Sequence, residues 1–269
     1  MAQPSTERFQ EAEKYCAYLR TTEGKLRADL GWTNLRCFLP IEGYRKRALD
    51  VGGGTGIVAL RLAELGYQVT LLDNSEPMLA VARREADSRV LKGRISFSQG
   101  DAEHLSGLFE SHSFDAVVCH NMLEYMPEPF AVLRGLAQML RKDDHALLSL
   151  LVRNRWGEVL KSAVKDNSLE LATVALQSET VLDSLYGQPV RVFDPVDLRS
   201  MVEKAGLEVA AERGVRVLVD CLCCDGSTEA DYRRMLEFEL LLGGQPQFAA
   251  VARYIQIIAR PSSAPVVER

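Results

Sequence analysis

Leu49-Asp50-Val51-Gly52-Gly53-Gly54-Thr55-Gly56 is the stretch on which the reading of this 269-residue chain turns. A short apolar run, Arg47 to Val51, ends in four glycines within five positions, and a helical pattern from Ile57 to Leu65 begins directly after them. Glycines between a strand and a helix allow a tight turn and bring the backbone close to a ligand. Asp73 closes the next apolar run, Gln68 to Leu72, where a carboxylate can hold both hydroxyls of a ribose. A glycine-rich turn by itself would equally open a dinucleotide-binding fold.

Outward from that turn, strand and helix patterns alternate. Strands are expected at 47–51, 68–72, 94–98, 114–119 and 146–152, and helices at 57–65, 76–89 and 130–141. Ser75 is placed to cap the helix from Glu76. Such alternation implies an α/β, doubly wound, mostly parallel sheet, whose ligands sit at the carboxyl ends of the strands. The polar signals after Val51, at Asp73, at Asp101 and at His120 all fall at those ends.

Before the sheet, residues 1–45 read as a helical cap. Phe9, Tyr15, Cys16 and Leu19 mark one helix, and Leu26, Leu30, Leu35 and Phe38 a second, separated at Thr21-Thr22-Glu23-Gly24. After it, residues 153–193 interrupt the alternation and read as a helical lid over the strand ends. The core, 46–152, resumes over 194–260. There Asp194-Pro195 starts a helix that stops at Gly206, 207–219 is strand-like with a break at Gly214, 229–242 is helical and 250–259 is a last strand. Residues 261–269 form a loose Pro- and Ser-containing tail.

Composition narrows the class. With 47% hydrophobic and 26% charged residues the chain can build a full core without staples. A net charge of -5 gives no basic footprint of the kind a nucleic-acid binder advertises. No eighteen-residue apolar run and no apolar leader are present, so a cytoplasmic enzyme without a membrane span is expected. Cys221-Leu222-Cys223-Cys224 contains one Cys-x-x-Cys, but a zinc site needs four ligands, and neither a second pair nor a nearby His completes them. No metal is expected.

Three details favour a methyl donor over a dinucleotide. The acid Asp50 stands just before the glycines, where it can pair with an amino group but would repel a pyrophosphate. Gly100-Asp101-Ala102-Glu103 follows the third strand and can accept from an adenine amino group. No second dinucleotide half of matching design follows. Over about 46–152 the chain resembles the class I S-adenosylmethionine-dependent methyltransferases, with an acid before G-x-G-x-G, an acid ending strand two and G-D-A after strand three. The resemblance implies a Rossmann-like seven-stranded sheet whose final strand runs antiparallel. It also implies S-adenosylmethionine as cofactor, held by Asp50, Gly52, Gly53, Gly54, Asp73, Asn74, Met78, Asp101, Ala102 and Glu103.

A narrower likeness spans nearly the whole chain. Thr21-Thr22-Glu23-Gly24-Lys25-Leu26-Arg27, His120-Asn121-Met122-Leu123-Glu124-Tyr125, Gly214-Val215-Arg216-Val217 and Ala252-Arg253-Tyr254-Ile255 resemble the bacterial tRNA 5-carboxymethoxyuridine methyltransferases. That family methyl-esterifies a wobble-uridine carboxylate. The likeness implies tRNA as a partner and adds Arg27 and His120 to the cofactor set. A carboxylate is ionised at neutral pH, so esterification requires no general base and no catalytic residue is assigned. Arg153, Asn154, Arg216 and Arg253 are the candidates for orienting the acceptor, and Tyr125, Trp156 or Tyr186 could stack on a flat one. Residues 156–190 hold only Lys161 and Lys165 as cations against five acids, Glu158, Asp166, Glu170, Glu179 and Asp183. Phosphate binding wants several cations, so a small-molecule acceptor stays open as the alternative, and a nucleotide-binding module without turnover as a second. His120 reads as a packing or hydrogen-bonding group, with a base for a hydroxyl acceptor as the other option.

Overall fold

The computed structural model describes residues 12–91, 93–221 and 228–262. Phe9, Cys223, Cys224 and the tail beyond Ser262 lie outside the described residues.

Two helices come first, α1 (Ala12–Arg20) and α2 (Thr22–Arg36). The break between them is a single residue: the Thr21 hydroxyl accepts from the Gly24 N–H and caps α2. Gly24 sits at their crossing, where a Cβ would come within 2.0 Å of the Tyr18 carbonyl oxygen. The alternating core follows as β1 (Arg47–Val51), α3 (Ile57–Glu64), β2 (Gln68–Asp73), α4 (Glu76–Ser88), β3 (Ile95–Gln99), α5 (Leu105–Leu108), β4 (Ala116–His120), α6 (Pro129–Met139) and β5 (Leu147–Arg153). Ser75 caps α4, accepting from the Met78 N–H.

Between β5 and the next core helix lie α7 (Arg155–Leu160), a π-turn (Lys161–Lys165), α8 (Leu169–Gln177) and a hairpin of β6 (Thr180–Leu182) with β7 (Pro189–Arg191). This segment leaves and returns at one point. Phe193 donates its N–H to the Arg153 carbonyl at 2.9 Å, and Arg155 donates to the Phe193 carbonyl at 3.0 Å. The chain then completes the core with α9 (Pro195–Lys204), β8 (Leu207–Val215), α10 (Glu229–Gly243), α11 (Pro246–Ala249) and β9 (Tyr254–Pro261).

Seven strands form one sheet in the order β3-β2-β1-β4-β5-β9-β8. The pairs among β1 to β5 are parallel, and β9 runs antiparallel to both β5 and β8. This is the Rossmann-like sheet expected, antiparallel last strand included. Two boundaries differ. The strand expected over 207–219 stops at Val215, because Arg216 takes a left-handed φ of 61°. The strand expected from 250 starts at Tyr254, because α11 and a turn occupy the residues before it. Arg153, expected at the start of the insertion, is the last residue of β5.

Each face of the sheet carries its own apolar layer. Leu133, Leu136, Leu198 and Val202 from α6 and α9 pack against Leu148, Leu150 and Ile257. On the other face α2, α3 and α4 bring Leu35, Leu60, Leu62 and Leu79 onto Leu71, Val118 and Ile258. A smaller layer joins Leu26 and Leu30 of α2 and Tyr232 and Met235 of α10 to Leu151 and Tyr254. At ~25 cal/mol per Å² of apolar surface removed from water, these layers dominate the folding energy. The strand order reverses between β1 and β4, and their carboxyl ends open a crevice there.

Candidate active site

The glycine turn is stitched to the end of β2. Gly52 and Gly53 donate their N–H groups to the Leu72 carbonyl at 2.8 and 3.2 Å, and Gly54 donates to Asp73 Oδ2 at 2.8 Å. Gly52 has φ 66°, and a Cβ there would lie 2.4 Å from Met122 Cγ, so only glycine fits. The other Asp73 oxygen accepts from the Ser75 N–H at 2.9 Å. Burial raises the Asp73 carboxyl, and the amides of Ser75, Gly54 and Asn74 pull it partly back. Asp101 turns the chain after β3 by accepting from the Glu103 N–H at 3.0 Å.

Asp50 lies beneath the turn. It is buried, accepts from the Ala59 N–H at 3.0 Å, and burial pushes its carboxyl up to about 7. His120 ends β4 with Nε2 2.8 Å from Ser149 Oγ; burial and the Arg27 charge lower the imidazole to about 3. It is therefore neutral across the physiological range and a poor proton acceptor.

The N-terminal helices close the crevice from above. Arg27, buried on α2, donates from Nη2 to the Tyr15 hydroxyl at 3.1 Å and lies 4.8 Å from the Tyr18 ring centre. Among the described residues it pairs with no carboxylate.

Opposite, the ring of Tyr254 is surrounded by guanidinium groups: Arg27 at 5.5 Å, Arg153 at 5.7 Å, Arg216 at 5.8 Å and Arg253 at 5.9 Å. Arg153 donates to Glu158 at 2.8 Å and to Asp183 at 2.7 Å. Arg253 pairs with Glu158, and Arg216 with Asp220 and the Tyr18 hydroxyl. Burial would raise the Tyr254 hydroxyl, but the four arginines hold it below its ordinary value. Burial likewise pushes Asp220 up, and Arg216 with Arg253 more than reverse it.

These groups line one cavity of about 330 Å³, with a smaller lobe of about 50 Å³ under the glycine turn. The cavity brings together Arg27, Gly52, Gly54, Asp73, Asn74, Met78, Asp101, Ala102 and His120, with Arg153, Arg216 and Arg253 on its far wall. The small lobe takes in Asp50 and Gly53. Two candidates stand apart. The Glu103 side chain is exposed, because the residue serves the turn through its backbone N–H. The Asn154 amide is buried and spends its two N–H groups on the carbonyls of Ala250 and Ala252, at 2.9 and 2.8 Å. Of the three aromatic candidates, Tyr125 and Tyr186 line the cavity and Trp156 does not.

Tyr15, Tyr18 and Tyr254 are not among the site candidates read from the sequence, where Tyr15 marks a helix face and Tyr254 lies within a matched motif. Tyr15 and Tyr18 stand three apart, which puts both on one helical face. That spacing is the usual sign of core packing, and only the fold of α1 over the crevice turns it toward a ligand.

A Methyltransferase domain family matches residues 49–148. The chain is 30% identical over 252 residues to the tRNA 5-carboxymethoxyuridine methyltransferase of Escherichia coli, covering 93% of this chain and 94% of that one. It belongs to the class I S-adenosylmethionine-dependent methyltransferases. A second relative, the ubiquinone biosynthesis O-methyltransferase of Vibrio cholerae, is 38% identical over 112 residues, 41% of this chain and 44% of that one. The CcbJ methyltransferase of Streptomyces caelestis superimposes with a TM-score of 0.65 at 19% identity, over 97% of this chain and the whole of the other, a likeness of fold alone.

This methyltransferase uses S-adenosylmethionine, and its cavity fits such a ligand. Arg27 is a buried cation lacking a carboxylate partner among the described residues, and the Asp73 and Asp101 carboxylates stand at the adjoining strand ends. No helix among the described residues is long and apolar enough to cross a membrane.

Proposed function

We propose that the acceptor of this methyltransferase is a carboxylate, that of 5-carboxymethoxyuridine at the wobble position of tRNA. The observation that carries this reading is the pairing of a guanidinium-lined far wall with a neutral, weakly basic His120. Guanidinium N–H groups of the first can orient an anion, and a hydroxyl or phenol acceptor would miss a base in the second. The extent of the match to the E. coli enzyme supports the nucleoside named.

In this reading Arg27 and His120 hold the amino-acid carboxylate of the donor, and Asp50 faces its ammonium. Asp73 takes the ribose hydroxyls, with Asn74, Met78, Asp101 and Ala102 around the adenine. When bound, S-adenosylmethionine supplies an electrophilic methyl on a sulfonium centre. The protein aligns the acceptor oxygen with it and keeps water out. Arg216 is the cation best placed to orient the acceptor. Among the described residues one carboxylate, that of Asp220, meets Arg216, whereas three, those of Glu158, Asp183 and Glu124, meet Arg153.

Expression in an E. coli strain lacking its own tRNA 5-carboxymethoxyuridine methyltransferase tests the acceptor. Mass spectrometry of tRNA nucleosides should show the wobble methyl ester restored; persistence of the free acid, with the protein present and binding S-adenosylmethionine, rules the acceptor out. A small-metabolite O-methyltransferase is the second reading. It is favoured by the two lysines of the insertion, both held by acids: Lys161 by Asp166 at 2.6 Å, and Lys165 by Asp220 at 3.4 Å. Turnover of small phenols or carboxylic acids by the purified protein, without turnover of tRNA, would establish it.

A further inference from the structure

Behind His120 runs a chain of buried polar groups that the donor pocket does not itself require. Asn34 on α2 donates from Nδ2 to Gln256 Oε1 at 3.1 Å. Gln256 on β9 donates from Nε2 both to the Gly31 carbonyl at 2.9 Å and to Ser149 Oγ at 3.0 Å. Ser149 on β5 then meets His120 Nε2 at 2.8 Å. Ser149 and Gln256 are fully buried.

The direction of every hydrogen in this chain is determined. A carbonyl only accepts, so the Gln256 nitrogen must face Gly31, and its second N–H goes to Ser149 Oγ. The Ser149 hydroxyl therefore receives from Gln256. Its own hydrogen has His120 Nε2 as its acceptor among the described residues, and leaving it unmade would strand a buried donor.

We propose that Asn34, Gln256 and Ser149 are positioning residues that lock His120 as the neutral tautomer protonated on Nδ1, so that it presents an N–H donor to the ligand and never a base. The imidazole lines both lobes of the cavity, and Nδ1 has no partner among the described residues. The charged and titratable groups around it fit this role. Arg27 of α2 and Tyr15 of α1 line the same lobe, Asp50 of β1 lies under the turn, Arg153 of β5 and Tyr254 of β9 line the wider cavity, and the side chains behind the ring, Ser149 of β5 and Gln256 of β9, are uncharged. The low imidazole value agrees, since burial and the Arg27 charge both disfavour a second proton on the ring. The proposal rests on this cavity holding S-adenosylmethionine.

Long-range 15N–1H correlation of the histidine rings tests it directly. His120 should show the Nδ1–H pattern from pH 5.5 to 8 without titrating; an Nε2–H pattern, or a midpoint in that range, overturns the lock. In Ser149→Ala the pattern should become a mixture of tautomers. The KM for S-adenosylmethionine should rise about five- to tenfold, the worth of one hydrogen bond, with kcat nearly kept. Ser149→Thr, which retains the hydroxyl, should restore both; equal damage in the Thr variant, or an unchanged ring spectrum in Ser149→Ala, would reject the mechanism. Calorimetric loss of S-adenosylmethionine binding in the unaltered protein would instead reject the pocket and leave the tautomer result standing.

Discussion

Asp50 and Arg153 show how much a buried charge depends on what it faces. Burial raises the Asp50 carboxyl to about 7, and among the described residues it has one backbone donor and no cation beside it, so it stays mostly protonated below that value. An ammonium bound beside it lowers that value, so binding releases a proton. S-adenosylmethionine affinity should therefore rise with pH, by at most about tenfold per unit between 5.5 and 7, and then level off. Calorimetry across that range checks it, and Asp50→Asn should flatten the slope. Arg153 is the opposite case. Glu158 and Asp183 hold it at 2.8 and 2.7 Å in a buried cluster. Arg153→Met leaves those acids uncompensated and should cost about 3–5 kcal/mol in denaturant melts. Arg216→Met should mainly raise the acceptor KM while donor binding is kept. Nothing in the sequence separates these two arginines, because the acids that hold them lie 5 to 30 residues away in Arg153 and only four away in Arg216.

At the scale of elements, the site is a contact between units that fold for other reasons. β1 and β2 position the glycine turn through Leu72 and Asp73, while α1 contributes Tyr15 and Tyr18 only because it crosses α2 at Gly24. Gly24→Ala places a Cβ 2.0 Å from the Tyr18 carbonyl, and α1 must move away. The expected outcome is a donor Kd weakened at least about tenfold with the core melt little changed, read by calorimetry and circular dichroism. The loop after β8 is tied in a different way. The buried Glu239 of α10 accepts from the N–H groups of Val217, Leu218 and Val219 at 2.5, 2.8 and 2.7 Å. This anchoring holds Arg216 in its left-handed conformation, which a non-glycine residue adopts only when its surroundings enforce it. Glu239→Ala leaves three donors unmet and should cost about 3 kcal/mol. It should also raise the acceptor KM.

For the whole molecule, a ligand enclosed between the sheet ends and the N-terminal helices couples these parts. S-adenosylmethionine at a hundred times its Kd should add about 2.7 kcal/mol of stability, a Tm rise of about 5–10 °C for a chain of this size. The net charge of -5 bears on the proposed tRNA substrate. With two lysines at the cavity, the slope of log affinity against log salt should be shallow, about -1 to -2, in filter-binding titrations. The sequence by itself determined the sheet, the glycine turn, the acids at the strand ends and the cofactor. The alternation, the turn and the acids follow from local physics, namely period-two and period-3.6 patterning, backbone freedom at glycine and a charge next to a turn, while the seven-stranded order and the cofactor follow from the resemblance to the class I methyltransferases that those residues carry. Only the tertiary structure decided which acids meet each arginine, that Asn154 serves the backbone, and that Tyr15, Tyr18 and Tyr254 face the cavity. It also joined Asn34, Gln256 and Ser149 to His120 across as many as 222 residues of chain. Those roles arise from pairings between distant segments, and a partner's identity is not written in the residue that receives it.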